Sequence, residues 1–442
     1  MPEGSHALAL RIHPVPSAEK LPERVDVVIV GGGIAGASAA LFLARKGVPV
    51  ALCEKGVIGG EQSSRNWGWC RNTLRDPVEI PLMIEAMRLW RDPDVLGGID
   101  TGFRTTGIMY LLGRNRGDDE TYAAWLEEAR QYQLDSRMLS GAEVANLVPG
   151  GTRTWEGALY TPSDGCAEPE KATSAIAEAA RCHGATILTS CAVRGIERQA
   201  GRASGVVTER GRIACQAVLV ATGVWSRLFC GNLGIDLPQL KVLGSVMRTG
   251  PLPGGPDVSL AGPGFGFRRR EDGGYIVSQA DATISDIVPD SFRLFRRFLP
   301  LLKSNAKGLR IRIGSRFMEE WKLPRNWTLD EVTPFERARV LDPEPSHPVL
   351  DEAAEKLVDA YPFFRDMKIM GRWGGFIDVT PDALPVISAV DAVPGLYLAT
   401  GLSGHGFGIG PGAGKLAANL ITGDPAIVDA SPFRFSRFAA AA

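Results

Sequence analysis

The sequence predicts an α/β protein, α+β when the whole chain is counted, and three observations carry the prediction. Near the start, the buried-strand run Val25-Asp26-Val27-Val28-Ile29-Val30 passes directly into the glycines of 31–36, a helix and a second strand. Near the end, Leu396-Tyr397-Leu398-Ala399-Thr400 enters another glycine-rich turn, with a helix expected over about 413–421. At 442 residues the chain is also too long for one compact core, so two domains are expected.

Taken in order, residues 1–22 read as a loose extension, proline-rich and without the apolar core of a signal peptide. Ala37 to Lys46 reads as a helix stopped by Gly47, and Val48 to Cys53 as a strand ending at Glu54. A strand is expected over 104–112 and a helix over about 118–134. Ser140-Gly141-Ala142-Glu143 has the spacing of a capping box. Pro169 opens a helix, Gly184 stops it, and Ala185-Thr186-Ile187-Leu188 follows as a strand. Short β-segments with glycine turns fill 193–213, and Ala217-Val218-Leu219-Val220 is an apolar strand. Residues 237–330 are richer in Pro, Gly and Arg, and Asp272-Gly273-Gly274 joins two hairpin strands there.

Hydrophobic residues (45%) and charged residues (22%) are in ordinary globular proportion, and the net charge of −1 gives no basic excess for nucleic acid. No apolar run has the length of a membrane span. The seven cysteines are scattered without a CxxC, which fits a reducing cytoplasm, and with five dispersed histidines they form no metal-ligand pattern.

The chemistry starts at Gly31-Gly32-Gly33-Ile34-Ala35-Gly36, a G-x-G-x-x-G match. Such matches are common, but this one follows a strand, opens a helix and has Glu54 at the end of the next strand. Gly31 permits the tight turn, Gly33 admits a pyrophosphate to the backbone, and Gly36 lets helix and strand pack closely. The helix N-terminus offers N–H groups and positive potential to phosphate, while Glu54 suits a ribose diol. The motif alone does not choose between FAD and NAD.

Four further blocks do. Gly60-Glu61-Gln62-Ser63-Ser64-Arg65-Asn66-Trp67-Gly68-Trp69-Cys70-Arg71, Ala221-Thr222-Gly223-Val224-Trp225-Ser226, the stretch from Trp373 to Ile387, and Gly401 to Gly410 occur in this order. Together they resemble the FAD-dependent D-amino-acid oxidase superfamily, most of all its glycine/sarcosine oxidase branch. The resemblance implies a Rossmann-type FAD-binding domain (23–100, 152–236 and 371–442) interleaved with an antiparallel-sheet substrate domain (101–151 and 237–370). It also implies oxidation of the C–N bond of an amine or N-substituted amino acid: hydride passes to flavin N5, and the imine is hydrolysed.

The implied cofactor set is Gly31, Gly33, Ile34, Ala35, Gly36, Glu54 and Lys55 at the nucleotide end, with Val193 giving a backbone contact to adenine. Ser63, Ser64, Arg65, Asn66, Trp67 and Gly68 run along the flavin, and Ala221, Gly223 and Trp225 flank it. Gly404, His405, Gly406, Phe407, Gly408 and Ile409 bring backbone N–H groups to the flavin edge that gains negative charge on reduction. Arg71, Asp378 and His405 are the candidates for substrate contact or catalysis, His405 more as a flavin contact than as a base.

Three departures refine the expectation. Many relatives have Arg-Pro where this chain has Ile377-Asp378; Asp378 either attracts a cationic amine or is structural, as in the similar run of sarcosine oxidase β-subunits. The lysine that activates oxygen in monomeric sarcosine oxidases aligns with Ile276, which tilts the reading from oxidase toward dehydrogenase; oxygen or an electron carrier accepts the electrons. The last cysteine is Cys230, so FAD is expected to be non-covalent. A flavin hydroxylase is disfavoured because Gly423-Asp424 follows the final helix instead of preceding it. The remaining alternative is a flavin-binding subunit that needs a partner in a larger amine-oxidising complex.

Overall fold

Val27–Val30 lies inside a six-stranded sheet, and its four apolar side chains serve both faces. Val27 and Ile29 pack among helices, whereas Val28 and Val30 pack toward a three-stranded sheet. The computed structural model describes residues 10–92, 94, 96, 98–113, 117–304 and 308–441. Across the six-stranded sheet the order is Val386–Ala389, Leu396–Thr400, Ala217–Val220, Val27–Val30, Val50–Cys53 and Thr186–Leu188. All pairs are parallel except the first, in which Val386–Ala389 runs antiparallel to its neighbour.

The helical layer holds Ile34–Arg45, Pro169–Cys182 and Gly406–Thr422, hereafter the first, middle and final helices. The first begins at Ile34, three residues before the sequence expectation, because the chain enters helical geometry directly after Gly33. The final helix begins at Gly406 and carries Pro411 inside it. Its glycines, which suggest a turn in the sequence, form a packing seam. A Cβ on Gly410 would come within 2.6 Å of the Ile34 side chain, and one on Gly414 within 2.8 Å of the Ala35 carbonyl. Glycine thus lets the two helices touch backbone to side chain.

The second large sheet has ten strands. Leu240–Thr249 lies within it, pairing antiparallel with Tyr275–Ser278 and, over ten residue pairs, with Ile369–Val379. Most pairings are antiparallel; Ser259–Gly262 with Ile108–Leu111 and Thr283–Asp286 with Leu309–Arg312 are parallel. The hairpin at Asp272-Gly273-Gly274 is present between Phe265–Arg269 and Tyr275–Ser278. Gly157–Thr161, grouped by the sequence with the nucleotide segments, hydrogen-bonds into this sheet, and Ile369–Val379 straddles the boundary expected at 371. The strand expected over 104–112 is broken at Gly107, whose φ is +71°.

Residues 10–22 have little regular structure, yet they are not loose. His13 N–H donates to Glu170 O at 3.1 Å, Ala18 N–H donates to Ile187 O at 2.7 Å, and Val15 packs on the helical core. Residues 1–9 of the expected extension lie outside the described residues. Among the described residues, no helix is long and apolar enough to cross a membrane.

Candidate functional site

A cavity of about 980 Å³ opens at the carboxyl ends of the parallel strands, with the ten-stranded sheet as its far wall. Open parallel sheets place ligands there because the strand ends and helix N-termini converge. At one end, Gly31 has φ +106°, and a Cβ on it would lie 2.5 Å from Ala221 O. A Cβ on Gly33 would meet only the Ser63 Oγ, at 3.2 Å, so this face of the loop is open to the cavity. Gly36 does not reach the cavity. Its missing Cβ leaves room for Gly31 O, which would otherwise be 2.1 Å away. The first helix starts without a capping side chain at Gly33, and Ile34 N–H donates to Ser63 Oγ at 2.9 Å.

Glu54 projects from the second strand, where its carboxylate accepts from Gly32 N–H at 2.7 Å and Gly56 N–H at 2.8 Å. Burial pushes its pKa up, and those two N–H groups oppose the rise. Lys55 lines the cavity but is engaged by Glu61 at 2.6 Å and by the carbonyls of Ala338 and Arg339. Trp225 Nε1–H also donates to Glu61, at 3.0 Å, and Val193, Ala221 and Gly223 complete this wall.

The opposite end is aromatic and charged. Trp67 and Trp69 meet edge to face at 4.9 Å, Trp69 meets Tyr110 at 5.8 Å, and the Arg71 guanidinium lies 5.7 Å from the Tyr110 ring centre. Arg71 also donates to Thr73 O. Arg65 is buried and paired with Asp342 at 2.5 Å, and Asn66 ties the segment to itself through Gly68 N–H at 2.8 Å. Ser64, Gly68 and Ile409 do not line the cavity: Ser64 Oγ turns back to Glu61 O, Gly68 packs against Ala167 and Arg268, and Ile409 points into the core. Gly404, His405, Gly406, Phe407 and Gly408 do line it.

Asp378 lines the cavity, and the sequence left both a substrate-attracting and a structural role open for it. Its Oδ1 accepts from Gln62 at 2.9 Å, and its Oδ2 accepts from Gly401 N–H at 2.8 Å and Gln239 at 3.0 Å. With both oxygens bonded to protein donors and its pKa raised by burial, Asp378 fastens the start of the 401–408 loop, which favours the structural role.

Two residues that no motif marks complete this end. Glu79, wholly buried, lies 3.5 Å from Arg75 and 3.3 Å from His405 Nδ1, and Arg75 donates to His405 O at 3.2 Å. Burial raises the Glu79 pKa, but the charges of His405 and Arg75 outweigh it and hold the carboxyl at about 2. Burial and the Arg75 charge push His405 below its usual value, so at neutral pH the imidazole is neutral and Arg75 is the standing counter-charge of Glu79. The only sequence signal was an i,i+4 pair of opposite charges, which is common on exposed helices and marks no burial.

The family description of FAD-dependent oxidoreductases (DAO) matches residues 26–420. This chain belongs to that family. It is similar to the β subunit of sarcosine oxidase from Arthrobacter sp (25% identity, 93% of this chain and 91% of that protein). It is similar to glycine oxidase from Pseudomonas aeruginosa, at 25% identity over 92% and 97%. Among solved structures, L-amino acid deaminase from Proteus myxofaciens in complex with anthranilate superposes with a TM-score of 0.93. That pair shares 36% identity over 97% of both chains. The chain is therefore an FAD-dependent oxidoreductase acting on amino acids or amines.

The cavity fits FAD. Two helices open on it without a capping side chain of their own, the first at Gly33 and the final at His405, leaving N–H groups for anionic atoms. Gly33 leaves space where a side chain would stand, and Glu54 lies at the nucleotide end.

Proposed function

We propose that this enzyme oxidises the Cα–N bond of an L-α-amino acid, with Arg71 holding the substrate carboxylate and the product leaving as a 2-oxo acid and ammonia. The observation that carries this is the pairing of the cations along the cavity. Lys55 has Glu61, Arg65 has Asp342 and Arg75 has Glu79, whereas Arg71 has no carboxylate partner among the described residues. A guanidinium beside Trp69 and Tyr110 binds a carboxylate well, because the rings exclude water and leave its charge unscreened. The likeness to L-amino acid deaminases of two Proteus species, at 36% and 35% identity, supports this substrate class and handedness.

Bound FAD supplies the two-electron acceptor for the hydride leaving the α-carbon. The protein orients the substrate through Arg71 and keeps water from the reacting carbon with Trp67 and Trp69. The N–H groups at the start of the final helix meet the developing negative charge. A neutral amine needs no side-chain base, which agrees with a cavity-wall His405 whose Nδ1 faces Glu79. The Val193 backbone would hold the adenine, and FAD would be held without a covalent bond: Cys53, the one described cysteine lining the cavity, is buried at a strand end. An electron carrier takes the electrons in preference to oxygen. Ile276 is packed against Val246 and Trp373 in the sheet, and the one lysine lining the cavity among the described residues, Lys55, is occupied. Free cysteines support a cytoplasmic setting. The alternative of a flavin-binding subunit within a larger complex is supported by the sarcosine oxidase β-subunit relatives.

Anaerobic mixing of the purified flavoprotein with L-α-amino acids, their D-enantiomers and sarcosine tests the reading. Bleaching of the flavin by an L-amino acid and not by its enantiomer is expected. Bleaching by sarcosine or other secondary amines alone would overturn the substrate assignment.

A further inference from the structure

Hydride transfer needs no base once the amine is neutral, but an α-amino acid enters the chamber at neutral pH as an ammonium. One proton must leave its nitrogen first, and the cavity offers few groups to take it. Among the described residues, each carboxylate lining the cavity already accepts from a protein donor: Glu54, Glu61, Asp281 and Asp378.

His405 is placed differently. Its Nδ1 is sealed from solvent 3.3 Å from the wholly buried Glu79 carboxylate, which keeps the ring proton on Nδ1 and the lone pair on Nε2. The side chain is nonetheless 27% exposed and lines the cavity, so its open edge is the one that carries Nε2. Arg75 sets the span from this edge to the carboxylate site. Its Nε donates to Arg71 O and its Nη2 to His405 O, both at 3.2 Å. Behind it, Trp125 Nε1–H donates to Arg75 O at 2.7 Å. One buried guanidinium therefore frames both the arginine assigned to the substrate carboxylate and the imidazole that faces the amine. The charged groups around that imidazole are Arg71, Arg75 and Glu79, and only Glu79 favours a positive charge on the ring.

We propose that His405 is the base that takes the substrate's ammonium proton at Nε2, with Glu79 as its positioning residue. The inference rests on the substrate reading above. One N–H bond of the ammonium breaks, its electron pair stays on nitrogen, and the proton joins Nε2. The neutral amine then gives up a hydride, with its two electrons, from the α-carbon to the bound flavin and becomes an iminium. Water converts the iminium to the 2-oxo acid and ammonium, and the imidazolium returns its proton to solvent as products leave. A resting imidazole that is neutral at neutral pH, as His405 is, suits this role.

Anaerobic reduction of the holoenzyme by its best amine, followed by stopped flow across pH, tests the proposal. The wild-type rate should fall in acid as the imidazole becomes protonated. A substrate analogue whose electron-withdrawing side chain leaves its amine already neutral should lack that acid limb, and this comparison requires no variant. His405→Gln should lower the rate about a hundredfold at neutral pH, regain it toward alkaline pH as solution supplies free amine, and spare the electron-poor analogue. Glu79→Gln makes the imidazole less basic, so it should move the acid limb to lower pH and reduce the plateau about tenfold. Flavin absorbance reports cofactor content in each variant. The proposal is overturned if the wild-type acid limb persists with the electron-poor analogue. It is overturned equally if both variants lose rate by the same factor at every pH, which would return His405 to a contact with the flavin. Should only secondary amines reduce the wild type, the substrate reading fails, while the same pH comparison run with such an amine still decides the role of His405.

Discussion

Asp378→Asn separates a substrate contact from a loop fastener. The native carboxylate accepts from Gln62 on one oxygen and from Gly401 N–H and Gln239 on the other. Asparagine offers one oxygen. With that oxygen toward Gly401 and Gln239, its amide faces Gln62, whose own amide can turn over. The net loss is the charge assistance on two bonds, about 1 kcal/mol each, or roughly 2 kcal/mol together. The cost stays near this figure because burial already penalises the charged form of Asp378, so neutralising it recovers desolvation. Gly401 leads into the residues that line the cavity at 404–408, so the loss should appear in cofactor binding. The expected result is FAD affinity reduced roughly thirtyfold, with the KM of fully loaded enzyme within about twofold of wild type. Titration of apoprotein with FAD, followed by flavin fluorescence, gives the first quantity, and steady-state kinetics at saturating FAD gives the second. A raised KM with unchanged FAD affinity would refute the reasoning and return Asp378 to the substrate.

Three further outcomes follow from the same contacts. Gly33→Val should fold, as its Cβ meets only Ser63 Oγ at 3.2 Å, but should purify without FAD; Gly36→Ala, with Gly31 O at 2.1 Å, should instead lower Tm or prevent folding, as circular dichroism would report. Arg71→Met should lower kcat/KM for the best amino acid about a hundredfold with flavin content intact, the size of a lost charge-assisted bond of about 3 kcal/mol. Glu79, held at about 2 instead of 4.5 by Arg75 and by His405 when that is protonated, contributes stability that is present above pH 4.5 and fades as pH falls toward 2. Glu79→Gln should therefore melt well below wild type at neutral pH and converge on it in acid; a gap that is constant with pH would contradict the ionised, paired carboxylate.

The nucleotide end was legible because its constraints are local. A turn at φ +106°, a close helix–strand contact and an acidic strand end each demand a residue type at a fixed spacing, and Gly31, Gly36 and Glu54 supply them. Ser140 and Glu143 form the expected capping box for the same reason. The substrate end was less legible because its groups converge from distant segments. Arg75 and Glu79 acquire meaning only when the loop at His405 lies against them. Asp378 left a substrate role and a structural role both open in the sequence, and only the fold brings Gln62 and Gln239 to its two oxygens. The final helix shows the opposite failure: glycine and proline signal a break, yet tertiary contact with the first helix selects small residues inside a helix and overrides their low propensity.

That seam between the two helices has a mechanical consequence. Each helix aims its N-terminus into the same chamber, and because Gly410 and Gly414 bring the two shafts into direct contact, the tips cannot slide independently. On the proposed placement of FAD they would act as the fixed jaws of a caliper, one toward the diphosphate and the other toward the isoalloxazine edge. A dinucleotide of the right span would close on both jaws at once. FMN, which ends after its single phosphate, would leave one jaw empty, so the scaffold would measure cofactor length before any side chain reads cofactor chemistry.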